Sequence, residues 1–203
     1  MGAAHWYIAP EWKGERCYIV GGGPSAGALA LDRLAGRKVI AINSSYLAVP
    51  FADVLWFADS RWWRVHKDRA EFKQFAGRMV TCAPDQNVAD DRIWRLRRTN
   101  AFGIEPNHVM MRRTGMTAAM NMAAHLGVAR IVAIGLDGQP GPDGRTHHHE
   151  PHPWGQKQGC WAEQAADLVQ LVEPLAERGI VVVNASPGSA VDFWPIVNLE
   201  GEL

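Results

Sequence analysis

The chain has little cysteine, little tyrosine and no excess of either charge. Its three cysteines, Cys17, Cys82 and Cys160, are odd in number and far apart, which excludes a disulfide framework and reads as reduced thiols in a cytoplasmic protein. Lys and Arg number 21, as do Asp and Glu, so no net basic charge drives non-specific binding to nucleic acid. No apolar run reaches the length of a membrane span and no basic-then-apolar leader opens the sequence, so neither a membrane nor export is expected. The pattern G-x-x-x-x-G-K-[ST] is missing, and Ser186 and Ser189 lack the setting of a nucleophile elbow. Ordinary P-loop NTPases and triad hydrolases are thereby set aside. At 203 residues the chain suits one domain spanning 1–203, with a full core.

What is present begins with Cys17-Tyr-Ile-Val-Gly-Gly-Gly-Pro-Ser25, an apolar run ending in three glycines and a proline. It reads as a strand turning tightly into a helix whose first position suits Pro24. Helix N-terminal N–H groups attract anions, so Gly21, Gly22, Gly23, Pro24 and Ser25 are candidates for a nucleotide phosphate. A helix is expected over about 25–35 with Gly36 as its stop, then strands at Lys38–Ile42 and about Val54–Ala58. Ser60 is a candidate cap for a helix to about Phe75, followed by a strand at Met79–Cys82 and a basic edge strand within 93–98. Thr114 and Gly115 open a helix to about Leu126. A strand at Arg130–Ile134 leads to Asp137 and a long polar loop over about 138–159. An amphipathic helix over 161–177 and a strand at Ile180–Val183 complete the pattern.

Strands with continuous apolar runs, alternating with helices, imply an α/β fold: three layers, Rossmann-like, around a mainly parallel sheet. Ligands in such folds bind beyond the carboxyl ends of the strands, where Gly21–Ser25, Asn43, Asp59, Asp137 and Asn184 collect. The glycine turn also fits G-x-G-x-x-A over Gly21, Gly23 and Ala26, but the place of the usual ribose-binding carboxylate holds Asn43, which argues against NAD or FAD. Among nine tryptophans, Trp62, Trp63, Trp154 and Trp161 lie in polar surroundings and could line a pocket or an interface with a second copy, although packing suits Trp62 and Trp63 better.

The order Gly-Gly-Gly-Pro-Ser, Ala-Ile-Asn43, Asp59, Thr114-Gly115 and Ile-Gly-Leu-Asp137 resembles a Rossmann-like superfamily. It contains archaeal 6-hydroxymethylpterin pyrophosphokinases and bacterial sialyltransferases that use CMP-sialic acid. The chain is most similar to small members carried by bacteriophages and prophages, which would place it in the host cytoplasm. The resemblance covers about residues 17–195 and implies a nucleotide or nucleotide sugar as ligand. It puts Gly22 to Ser25 at the phosphates, Asn43 at the ribose or phosphate bridge, and Thr114 with Gly115 at a second helix N-terminus near the nucleotide. In the pyrophosphokinase branch Asp59 and Asp137 match positions near a divalent ion, Mg²⁺ or Mn²⁺. In the sialyltransferase branch a late-loop histidine is the general base and tyrosines steady the leaving phosphate. The tyrosines here are Tyr7, Tyr18 and Tyr46, none in the late loop.

That loop, Asp143-Gly-Arg-Thr-His-His-His-Glu-Pro-His-Pro-Trp154, is the second unusual feature. Imidazole is both a metal ligand and an acid or base near neutrality. In an extended loop His147 and His149 face one way and His148 the other. His147 and His149 with Glu150 or His152 are therefore the metal or catalytic cluster to expect, and Arg145 beside them is a candidate phosphate clamp. The favoured reading is a transferase moving a pyrophosphoryl or nucleotidyl group, with His147, His149 and Asp137 catalytic and Asp59, Asp137, His147, His149 and His152 offering metal ligands. Glycosyl transfer from a nucleotide sugar, a non-catalytic nucleotide-binding protein and a metallohydrolase centred on the histidines are the alternatives.

Overall fold

The computed structural model describes residues 5–154 and 160–203. Seven strands form one parallel sheet in the order β5-β4-β3-β2-β1-β8-β9. Strand β1 is Arg16–Val20, β2 Lys38–Ile42, β3 Val54–Phe57, β4 Arg78–Thr81 and β5 Ile93–Arg95. β6 (Arg97–Thr99) and β7 (His108–Met110) pair separately as a parallel ribbon, and β8 (Arg130–Ile134) and β9 (Val181–Asn184) complete the main sheet. The apolar runs are continuous because both faces are covered. Ile19, Ile40 and Val54 belong to one core, and Tyr18, Val39, Ala41 and Leu55 to the other. This is the three-layer α/β fold expected from the sequence. Among the described residues no helix is long and apolar enough to cross a membrane.

Three expected helices are broken. Residues 25–35 form two short 3₁₀ segments, Pro24–Ala28 and Leu31–Leu34. Gly27 weakens helix formation and lies where the histidine loop crosses, with a Cβ there only 3.3 Å from the Cβ of His148. The helix expected over 60–75 is α1 (Ser60–His66) and α2 (Ala70–Lys73), and Asp59 rather than Ser60 caps it, its carboxylate accepting from the Arg61 amide at 2.8 Å. After α3 (Gly115–His125), the amphipathic run over 161–177 divides into α4 (Cys160–Leu168), a 3₁₀ turn and α5 (Val172–Glu177). Pro174 lacks an N–H and crowds the preceding turn, so a continuous α-helix cannot pass. The single edge strand expected within 93–98 is also split: Arg95 is buried and donates to the Ala83 and Val88 carbonyls, and beyond Leu96 the chain leaves for the ribbon.

Strand order reverses between β1 and β8, so the loops leaving them, Gly21–Pro24 and Gly135–Gly138, stand side by side at the carboxyl edge of the sheet. A crevice at such a switch point is where an open α/β sheet takes a ligand.

Candidate functional site

The two loops at the switch point interlock. Gly21 N–H donates to the Ile134 carbonyl at 2.7 Å and Gly23 N–H to the Gly135 carbonyl at 3.0 Å. A Cβ on Gly135, which has φ of +66°, would lie 2.6 Å from the Gly21 oxygen, so glycine is needed on both sides. Asp137 follows on the second loop, and its carboxylate reaches back to the first. It accepts from Ser25 N–H and from Ser25 Oγ–H, both at 3.0 Å. The anion at the start of the first 3₁₀ segment is thus the protein's own. Burial, outweighing these two bonds, pushes the Asp137 carboxyl above its ordinary range.

The Asn184-Ala-Ser-Pro-Gly-Ser189 stretch braces this arrangement from β9. Asn184 Nδ2 donates to the Leu136 and Val191 carbonyls and to Ser189 Oγ, and its Oδ1 accepts from Ser186 N–H. Ser186 Oγ accepts from Leu136 N–H at 2.8 Å, and Ser189 Oγ donates to the Leu136 carbonyl at 2.6 Å. Asn184 and Ser186 are fully buried. They act on the loop carrying Asp137.

The cavity beneath is lined by Gly21, Gly22, Gly23, Pro24, Asn43, Thr114, Gly115, Asp137, His147, His149 and His152. Asn43 reaches it from the end of β2 with φ of +50°, a left-handed conformation that Asn tolerates better than most residues. Thr114 caps α3, its hydroxyl accepting from Met116 N–H at 3.2 Å. A Cβ on Gly115 would lie 2.9 Å from Ile42 Cγ2, so only glycine lets α3 begin this close to the sheet. With eleven residues, α3 carries a full helix dipole into the cavity, which the short 3₁₀ segment after the glycine turn cannot match.

The histidines approach from the loop after β8. His148 N–H donates to the Gly22 carbonyl, and its ring meets Ser45 Oγ at 3.1 Å. His147, His149 and His152 turn the other way and each offer a nitrogen, all within 4.8 Å of one another. Burial first, then mutual repulsion, pushes His147 down to about 4. Burial likewise lowers His149, against a bond to a backbone carbonyl, and lowers His152. Each shift favours the neutral ring, which presents a lone pair. A second cavity adjoins the first and shares Asn43, Arg113, His147, His152 and Gln164 with it. It adds Asp59, Arg61 and Trp154.

No family model matches the chain, and no curated protein matches it. A solved structure shares its fold. It is described as the sialyltransferase CstII from Campylobacter jejuni in complex with a substrate analogue, cytidine-5'-monophosphate. It covers 91% of this chain and 85% of its own, at a TM-score of 0.58 and 13% identity. The chain has a sialyltransferase-like fold.

Several sequence-predicted residues lie elsewhere than the pattern suggested. Asp59 and Asp137 line different cavities, and Asp59 is occupied by Arg61, whose Nη2 is 2.7 Å from Oδ2. Ser25 spends its amide and hydroxyl on Asp137. Arg145 pairs with Asp143 at the surface. Trp62 is buried, packing on Phe57 and His66, and also lines the second cavity together with Trp154, while Trp161 borders the first. The late loop is described as far as Trp154, and 155–159 lie outside the described residues. One residue the sequence reading passed over is Asp167, 2% exposed on α4, which holds Arg113 at 2.7 Å and approaches Arg112 at 3.1 Å. Its only local signal is a carboxylate beside Leu168 on the apolar stripe of an amphipathic helix.

Proposed function

We propose that the chain is a glycosyltransferase that takes a nucleotide sugar, with a cytidine nucleotide as its donor. The observation that carries this reading is the cavity in which Asn43, the start of α3 and the histidines converge, on a fold shared with a transferase solved with CMP. The nucleotide's phosphate lies at the N-terminus of α3, over Thr114 and Gly115, with Arg113 beside it. Asn43 hydrogen-bonds the ribose. The sugar extends toward the second cavity, where the acceptor enters, and the histidine group stands at the border of the two.

In the reaction the acceptor hydroxyl oxygen bonds to the anomeric carbon and gives its proton to the histidine group, His147 or His149. The bond from that carbon to the phosphate oxygen breaks, and the nucleotide departs with the electron pair. Orientation and charge stabilisation supply most of the rate. Tyr18 and Tyr46 are 1% exposed within the core, and neither they nor Tyr7 lines either cavity, so the leaving phosphate is met by α3 and Arg113. The pyrophosphoryl-transfer reading favoured from the sequence leaned on Asp59 and Asp137 sharing one ion; the two line different, adjoining cavities and Asp59 is paired with Arg61, so glycosyl transfer is the reading taken here.

The test is calorimetry and thermal shift with CMP, CMP-sugars, UDP, GDP and ATP on metal-free protein. A ligand selective for the folded state raises the melting temperature. CMP and CMP-sugars are expected to bind, and Asn43→Ala to weaken them. Binding of ATP in preference to CMP would turn the reading back toward phosphoryl transfer.

A further inference from the structure

We infer that His147, His149 and His152 form a binding site for one divalent transition-metal ion, Zn²⁺ being the best fit. The inference deepens the transferase reading and rests on it only for the ion's role, not for its binding. Three side chains each present one nitrogen, and the three nitrogens lie within 4.8 Å of one another. Around a tetrahedral Zn²⁺ with Zn–N of about 2.0–2.1 Å they would stand about 3.3 Å apart. The rings that must close the difference are carried by the loop after β8 and not by the sheet.

The hydrogen bonds around the rings set the tautomers that ligation needs. His149 Nδ1 lies 2.8 Å from the Glu150 carbonyl oxygen. A carbonyl only accepts, so Nδ1 carries the proton and Nε2 keeps its lone pair. His147 Nδ1 lies 2.9 Å from Thr146 Oγ1, a hydroxyl that can accept from Nδ1–H and so can hold the ring with its Nε2 lone pair free when a metal binds. His152 is fixed by stacking on Trp154, with centroids 4.9 Å apart and planes 2° from parallel. Ligating histidines characteristically hold their second nitrogen in such bonds. His148, between two of the ligands, is turned away onto Ser45, as the alternation of an extended loop requires, and His152 joins His147 and His149 from beyond Pro151.

The donor set decides the metal. Three neutral nitrogens without a carboxylate suit Zn²⁺, Co²⁺ or Ni²⁺, whereas Mg²⁺ and Mn²⁺ favour oxygen. Three protein ligands leave a fourth position for water or substrate, as in catalytic zinc sites. His149 Nε2 lies 3.3 Å from where a Cβ on Gly22 would stand, so the ion sits against the glycine turn at the cavity wall. An ion held there by His147, His149 and His152 would occupy the lone pairs that the metal-free chain offers to the acceptor's proton, and would supply a Lewis acid and a bound water beside the transfer site in their place.

The experiment uses the full chain, free of any affinity tag and stripped with chelator, then titrated with Co²⁺ and Zn²⁺. One equivalent of Co²⁺ should give the intense visible bands of a tetrahedral site, and one equivalent of Zn²⁺ should displace it. His149→Ala and His152→Ala should abolish the bands. Thr146→Val should weaken binding by about tenfold, the effect of losing an outer-shell partner. His148→Gln should leave affinity unchanged, with circular dichroism confirming that each variant is folded. Absence of stoichiometric binding, or binding that survives both alanine variants, would overturn the site. CMP binding by the metal-free chain is read separately, so a failed metal site and a failed nucleotide site give different results.

Discussion

Replacing Asp167 by Asn perturbs the brace between α4 and the start of α3. The carboxylate is 2% exposed. Its Oδ1 takes a 2.7 Å bond from Arg113 Nη1 and stands 3.1 Å from Arg112 Nε, while its Oδ2 has no partner among the described residues. Asn keeps an oxygen for Arg113 but removes the charge facing two guanidinium groups. Losing one partner of a fully buried pair costs about 3–5 kcal/mol. Arg113 is 43% exposed and Arg112 28%, so water screens much of that, leaving about 2 kcal/mol. For a chain of this size that is a fall of roughly 4–8 °C in melting temperature. Arg113 immediately precedes Thr114, the cap of α3, and borders both cavities, so CMP affinity should fall with stability, by about tenfold if 1.4 kcal/mol of the loss reaches the site. Thermal unfolding and calorimetry on Asp167→Asn, Arg113→Ala and the double variant measure both effects. Strictly additive losses in the cycle would refute the ion pair as a brace. A lower melting temperature with unchanged CMP affinity would refute its link to the nucleotide.

Gly23→Ala should leave little folded protein in expression and circular dichroism, because its Cβ would overlap Asp137 Oδ2 and stand 2.5 Å from the Gly135 oxygen. Asn184→Ala strips the 135–138 loop of its side-chain brace and should cost about 2–3 kcal/mol in urea unfolding, the loss expected for stranding buried hydrogen-bond partners. His66, buried between Tyr46 and Ser44 and pushed down to about 4, mainly by burial, resists a proton that the unfolded chain accepts near 6.5. Stability should therefore be full above pH 6.5 and decline toward pH 4, by roughly 2–3 kcal/mol from this group. In melting curves against pH, His66→Gln should flatten that part of the profile, and an unchanged slope would contradict the assignment.

The strands were legible because a parallel sheet buries both faces and writes itself as short uninterrupted apolar runs. Lys38–Ile42 and Arg130–Ile134 match their predicted bounds and four others differ by one residue at one or both ends, whereas the edge strand within 93–98 is split and His108–Met110 was not expected. The opposed directions of His147 and His149 against His148 were legible for an equally local reason, the two-residue alternation of extended chain. The breaks in the helices were less so. Pro174 is visible in the sequence, but the crossing of Gly27 by a loop more than a hundred residues away, with room there for no side chain beyond a tight Cβ, is not. Asp59 and Asp137 share the signature of an acid at a strand end, yet one caps a helix and the other bridges two loops. That distinction is made by tertiary partners, Arg61 and Ser25, and no spacing rule carries it.

The glycine turn itself reads differently once its neighbours are known. Three successive glycines after a strand suggest a backbone opened for a phosphate, but here the approach they permit is to another loop. Gly21 and Gly23 bond to Ile134 and Gly135, and the carboxylate of Asp137 occupies the donors of Ser25. A phosphate brought to Ser25 would meet a like charge at hydrogen-bond distance and would have to displace it. At the N-terminus of α3 the cap is the neutral hydroxyl of Thr114 and Gly115 keeps the helix close to the sheet, while Arg113 beside it is shared with Asp167 and Glu163. The glycines shape one wall of the cavity, and under the proposed reading the nucleotide's charge is drawn to the opposite one.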